Sequence, residues 1–436
     1  MKKALSVLAV AAATTLALAS CSSSASAPGG GSTAWPDQST SLKGVTLTMW
    51  NAAASATIPG KVVAGFEKLT GAKVNLVTIP DPYEQSVLTK IATGDKPDVA
   101  FWQPSNSELT VINAKANLQP LDGAPWLKKV DPALRDAAGI VDGTRYAALI
   151  STPAVVGMYY NKADFAKAGI TTTPSSIPEM ITDAKKLKAA GITPFYDAAK
   201  DQWPTQWFTQ SLLANASKAG YYKDVNTQKA KFTDPTFTDA VSEYKSWIDA
   251  GLFNADIKSG TFVDQGKTLL SGDTAMVDQI TAYSGELLSQ AGSASSLDSK
   301  IGYFGISPTG NLSLAIPDQT NGLVAFKTGD AKKEAAARQF LSYWMGAGYK
   351  SFIDSQSYVS IEPSVATSSS VPTLFKDVAA GFKNSVPGMQ PSVLATPDIH
   401  IYLSNMINGT MTVAQVGQAM QTQFVQLAKA EGAKGF

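Results

Sequence analysis

Cysteine and histidine are almost absent from these 436 residues, with one of each at Cys21 and His400. A lone cysteine permits no intrachain disulfide and no Cys-based zinc site, so stability has to come from packing. A lone histidine excludes a His-pair metal helix and most nucleophile–base relays, and a structural, hydrogen-bonded role suits His400 better. Charge of one sign is missing as well. Thirty-six Lys and Arg stand against 35 Asp and Glu, with no basic run and no RNP-like or zinc-finger pattern, which sets nucleic acid aside as a partner. No repeat at solenoid spacing is present. Gly266-Lys267-Thr268 ends like a phosphate-binding loop, but Gly260 lies one residue too far upstream and no strand-to-helix context surrounds it. Neither cofactor nor metal is expected.

What the chain does have begins at its start. Lys2 and Lys3 precede an apolar stretch, Ala4 to Ala19, that is short for a membrane span of about 20 residues. Leu18-Ala19-Ser20-Cys21 resembles the lipobox of bacterial lipoproteins. That resemblance implies a signal peptide over 1–20, acylation of Cys21, and a lipid anchor at the outer face of the cytoplasmic membrane. Without Lys2 and Lys3, 34 basic residues face 35 acidic ones, so the expected mature chain is close to neutral. Ser22 to Thr33 holds only Ser, Ala, Pro, Gly and Thr, which reads as a flexible tether, taken here as 21–41.

The remaining chain exceeds what one core supports, so two lobes are expected. Val45 to Trp50, Ala72 to Ile79 and Asp98 to Trp102 read as strands, alternating with helical patterns at Ile58–Leu69, Pro82–Thr93 and Ser105–Lys115. Such alternation predicts an α/β lobe with a parallel sheet. Ser176-Ile177-Pro178-Glu179 has the form of a capping box at a helix start. Further helices are predicted over 206–216, 236–250, 331–344 and 412–429.

Aromatic placement points toward a ligand. Trp50 and Trp102 each fall at the carboxyl end of a predicted strand, where open α/β sheets bind ligands. Ring faces suit the apolar C–H faces of a pyranose, and its hydroxyl rim needs fixed donors and acceptors. Asn51, Gln103, Asn106, Asp278, Gln279 and Asn321 could supply that rim. Trp203 and Trp207, one helical turn apart, fit core or cleft equally.

Several blocks carry a family resemblance: Trp50-Asn51, Gly65 to Gly71, Ala92 to Asp95, Pro97 to Trp102, Tyr160-Asn161-Lys162, Ala189 to Pro194, Ser271 to Met276, and Lys332 to Ala336 before Phe340-Leu341. In this order they resemble maltose-type extracellular solute-binding proteins of ABC importers. The resemblance implies a two-lobe α/β periplasmic-binding-protein-like fold with three hinge crossings, near 152–155, 279–283 and 326–331. Lobe 1 would comprise 42–153 plus 280–328, and lobe 2 would comprise 154–279 plus 329–436. It also implies that Trp102 stacks on sugar, that Gln103, Ser105 and Asn106 bind hydroxyls, and that the loop after Trp50, Tyr83, Glu84, Tyr283 and Tyr358 border the ligand. Ser105-Asn106 and Ala154 replace charged residues of the family, which points away from a maltodextrin.

The implied function is a monomeric, anchored receptor that captures a neutral mono- or oligosaccharide and passes it to permease subunits without chemistry. An anchored glycosidase is the enzyme alternative, although no feature nominates its pair of carboxylates. The same fold binding a polyamine, metal chelate or peptide is the other.

Overall fold

The computed structural model describes residues 35–52, 55–80, 83–136, 138–430, 432–433 and 435–436. Cys21, the leader and most of the expected tether lie outside them. The end of that tether is part of the body instead. Trp35 packs edge-on against Trp126 at a centroid distance of 4.8 Å, and the carbonyls of Gln38 and Thr40 accept from Gln339 Nε2 at 3.2 and 2.7 Å. A large ring with a buried partner outweighs the polar residues around it. Among the described residues no helix is long and apolar enough to cross a membrane.

In chain order the strands begin with β1 (Thr46–Ala52), β2 (Lys73–Ile79), β3 (Val99–Phe101), β4 (Ile140–Val141), β5 (Thr144–Arg145) and β6 (Ala147–Leu149). They continue with β7 (Ala154–Asn161), β8 (Thr193–Phe195), β9 (Thr274–Ile280), β10 (Ile301–Phe304), β11 (Ser313–Ile316), β12 (Gly322–Ala325) and β13 (Ser385–Pro387). One sheet has the order β2-β1-β3-β12-β6, the other β13-β11-β7-β9-β8 with β10 also on β7, and β4 and β5 form a hairpin. The predicted parallel arrangement of β1, β2 and β3 is present.

Period-two alternation gives the first sheet two buried faces. Leu47, Met49, Val99 and Phe101 join one core, covered by the helices Gly60–Thr70 and Ala331–Trp344. There Phe66 meets Phe340 at 4.9 Å and Phe101 meets Trp344 at 6.0 Å. Trp50, Ala52, Ala100 and Trp102 join the opposite core. The second sheet packs Met158, Phe195 and Met276 against Phe208, Tyr244 and Trp247, from the helices Gln206–Leu212 and Pro235–Asp249. The helix at Ile177 starts where predicted, but its box is shifted: Ser176 makes no side-chain cap, and Glu179 accepts from Ser175 N at 2.8 Å.

The chain passes between the sheets at 150–153, 317–321 and 357–372, so the first crossing falls beside its expected place and the others do not. After β9 the helix Tyr283–Ala291 stays on the second lobe against Phe262–Ser271, and β10 and β11 then pair with β7. After β12 the helices Ala331–Trp344 and Tyr349–Gln356 stay on the first lobe. Residues 280–316 therefore leave the lobe expected for them, and 329–356 likewise. Both β10 and β11 pair with a strand far back in sequence, and such non-local pairing leaves no local signal.

Candidate functional site between the two sheets

Strand direction decides which edges meet. The chain leaves β6 at Leu149 and enters β7 at Ala154, so both ends border the gap between the sheets. β9 is antiparallel to β7 and β8 is parallel to β9, which brings Ile280 and Phe195 to the same border. Opposite them, β12 is antiparallel to both β6 and β3, and β1 is parallel to β3. Ala52 and Phe101 thus end at the border too, the place where open sheets hold ligands.

A cavity of about 320 Å³ lies there, and all three crossings wall it. Ser151 and Thr152 come from the first, Asp318, Thr320 and Asn321 from the second, and Tyr358 from the third, with Thr281 following β9. Hydrogen bonds tie these walls together. Asn321 Nδ2 donates to Ser151 Oγ at 3.0 Å and to Thr152 O at 3.2 Å, and Thr281 Oγ1 accepts from Val155 N at 2.8 Å. Burial pushes the Asp318 carboxyl upward while bonds from Thr320 and Asn321 pull it back. Burial also raises the Tyr358 hydroxyl, and Asp318 adds to that.

Along the same edge of the second lobe stands Trp203, half-buried. Its ring lies 5.0 Å from that of Phe262 and 6.4 Å from that of Trp207. Gln206 Nε2 donates to Trp203 O at 2.8 Å, and Gln206 Oε1 accepts from Gln210 at 3.0 Å and from Gln390 at 2.6 Å. Gln319 Oε1 and Gln390 Oε1 are buried acceptors without a partner among the described residues. From the first lobe Ser107 Oγ reaches Pro391 O at 3.4 Å.

Several expected ligand residues are interior instead. Trp102 is 0% exposed, its Nε1 donating to Glu108 O at 3.0 Å. Trp50 is 3% exposed, against Phe326 and under Lys90 Nζ at 5.4 Å. Both rings are spent on the core beneath the helices that follow β2 and β3. Tyr83 sits in the same core and donates to Phe101 O at 2.8 Å, with Glu84 beside it half-buried. Asn51 is buried, donating to Ala52 O and Thr78 Oγ1. Ser105 caps the helix Asn106–Val111, accepting from Glu108 N at 3.3 Å. Gln103 donates to Pro317 O at 2.5 Å, and Asn106 is exposed and donates to Ile140 O at 3.3 Å.

On the second lobe Asp278 is sealed beneath the helix Gln206–Leu212, where Ser211 Oγ donates to Oδ2 at 2.7 Å and Oδ1 has no partner among the described residues. Burial, with Asp197 nearby, raises its pKa to about 7. Gln279 is 0% exposed and donates to Gln265 Oε1 at 3.1 Å. Tyr283 is fully buried, edge-on to Tyr159 at 5.1 Å, and burial holds its hydroxyl well above the ordinary tyrosine range. Of the expected set, the structure brings Asn321 and Tyr358 together in the cavity, while Trp203 is half-buried outside its lining, packed against the cluster of Val156, Trp207, Leu314 and Ile316. Ser151, Thr281, Asp318 and Thr320 line the cavity without having been expected there. Asp318 to Asn321 has the D-x-x-N form of a capped turn, which marks the spot. Among the described residues no cluster of His, Cys, Asp and Glu could hold a metal ion.

Two α/β lobes linked by three crossings, with a walled gap between them, define a solute-binding protein. The profile of the bacterial extracellular solute-binding protein family matches residues 50–351, and the chain belongs to that family. The binding protein msme from Bacillus subtilis, solved in an open conformation, is similar in fold at 18% identity, with 91% of this chain and 100% of that one covered and a TM-score of 0.75. The apo form of RafE from Streptococcus pneumoniae is similar at 20% identity over 88% of this chain and 98% of that one, with a TM-score of 0.72. An ABC transporter extracellular-binding protein of Pyrococcus horikoshii is 26% identical over 196 residues, 44% of this chain. The chain spans 43% of that relative's length.

Proposed function

We propose that this chain is the substrate receptor of an ABC importer, holding a neutral sugar or oligosaccharide between its lobes and handing it unaltered to permease subunits. The observation that carries this reading is the cavity walled by all three crossings, whose lining hydroxyls and amides suit a sugar rim. Relatives of the same fold support it: RafE is solved in complex with raffinose, and AcbH has a preference for β-D-galactopyranose. A ligand bridging both lobes would draw them together about the crossings and shift the population toward a closed form that the permease reads. Anchoring through Cys21 would keep the receptor, acting as a monomer, beside its transporter on the outer face of the membrane. Trp203, Asn321, Tyr358 and Thr281 are the proposed ligand contacts. Glycoside hydrolysis needs two carboxylates about one bond, and Asp318 is the one acid among the described lining residues.

A thermal-shift screen with raffinose, stachyose, D-galactose and chitin oligosaccharides tests the reading. A ligand at a hundred times its dissociation constant adds about 2.7 kcal/mol, which raises the melting temperature by a few degrees. No shift with any saccharide sinks the receptor reading, and reducing ends released during incubation would replace it with a hydrolase.

A further inference from the structure

The cavity at the crossings carries one acid and nothing to neutralise it. Asp318 lines it, and among the described residues no Lys, Arg or His does. Oδ1 of the carboxylate accepts from the N–H and the hydroxyl of Thr320 at 2.7 and 2.5 Å. The Asp318 N–H donates to Asn321 Oδ1 at 2.9 Å, completing a reciprocal cap of the turn Gln319–Asn321. The side chain is therefore held in one place by the turn it caps. A fixed carboxylate in a concave wall, without a countercharge, attracts O–H and N–H donors and repels anions. Partial desolvation enlarges both effects relative to water.

Resting on the receptor reading above, we infer that Asp318 is a specificity-determining residue that accepts a hydroxyl or ammonium donor from the sugar and bars uronates and sugar phosphates from the cavity. Its position on the second crossing adds a consequence. Through the capped turn and the Asn321 bonds to Ser151 and Thr152, the group that reads ligand charge is tied to the first crossing as well. A donor seated on Asp318 is thereby registered on two of the three strands about which the lobes would bend.

The test is calorimetric titration of the full chain and of Asp318→Asn with raffinose, D-galactose, D-galactosamine and D-galacturonate. Asn caps a helix about as well as Asp, so the turn survives the substitution, which the ligand-free melting temperature checks. Asp318→Ser, which also caps, takes its place should the amide variant fail to fold. The wild type is expected to bind a neutral sugar, to bind galactosamine at least as well as galactose, and to bind galacturonate at least about a hundredfold more weakly. Asp318→Asn is expected to weaken the neutral sugar by about 10- to 100-fold, the range for one lost charge-assisted bond, and to bring galacturonate within about tenfold of galactose. Equal affinity of variant and wild type for the neutral sugar overturns the assignment and leaves the receptor reading standing. Wild-type galacturonate binding as tight as galactose does the same. A wild type that takes none of the four overturns the assignment, and one that also takes no sugar of the thermal-shift screen overturns both.

Discussion

Trp102 and Trp203 both follow strands that end at the same border, yet one is fully buried and the other only half-buried. Trp102 follows β3 directly, and the helices after β2 and β3 close over it together with Tyr83 at 6.5 Å. Trp203 stands eight residues beyond β8, at the start of a short turn whose preceding residue, Gln202, has a φ of 62°. That left-handed residue turns the chain, and the ring stays half-buried against Phe262 and Trp207. The contrast teaches that a strand-end position brings an aromatic to the border, while the next helix decides whether its face remains available.

The largest way to break this comparison is Trp102→Ala. Removing a fully buried indole that also donates a hydrogen bond should cost about 3–5 kcal/mol, read as a lower denaturant midpoint of the ligand-free protein. An unchanged midpoint with loss of the sugar-induced shift would return Trp102 to the ligand face and remove the contrast.

Much of the fold was legible because it is local. The alternation of β1, β2 and β3 with helices follows from period-two and helical patterning, and Ala331–Trp344 begins and ends where its periodicity predicts. The crossings beyond the first were not legible, because β10 and β11 choose β7 by non-local pairing. The site was legible only in part. Asn321 and Tyr358 lie in the cavity, while Asp278 and Gln279 on β9 look like rim groups in sequence but point into the two faces of a sheet covered on both sides. Polarity in a strand does not reveal whether a helix lies over it.

The lobes differ in their buried acids as well. On the first lobe Asp98 accepts from Thr48 N at 2.8 Å and lies 3.9 Å from Lys333. On the second, Asp278 and Asp197 have no cation among the described residues, and burial raises them to about 7 and about 6. A carboxyl raised in the folded state contributes stability that is complete below its unfolded pKa near 4 and is lost as pH rises through the folded value. Asp278→Asn should therefore flatten the decline in stability between pH 4 and about 7, and leave the variant more stable than the wild type at pH 8. Superimposable pH profiles of wild type and variant would show that the acid is not held as the geometry indicates.

The smallest effect on stability is expected at Trp203, and it sharpens the comparison most. Because Trp203 is only half-buried whereas Trp102 is fully enclosed, Trp203→Ala should move the denaturant midpoint less than Trp102→Ala does. Its cost should appear in binding, where loss of an aromatic anchor weakens a ligand by about 2 kcal/mol, roughly thirtyfold. The two variants thus exchange signatures: one loses stability and keeps intrinsic affinity, the other keeps stability and loses affinity. Titration of both with whichever sugar the screen identifies measures this directly. Should Trp203→Ala unfold the protein as readily as Trp102→Ala, the second lobe has spent its strand-end aromatic in the same way as the first, and the ligand face must be sought among the crossing residues alone.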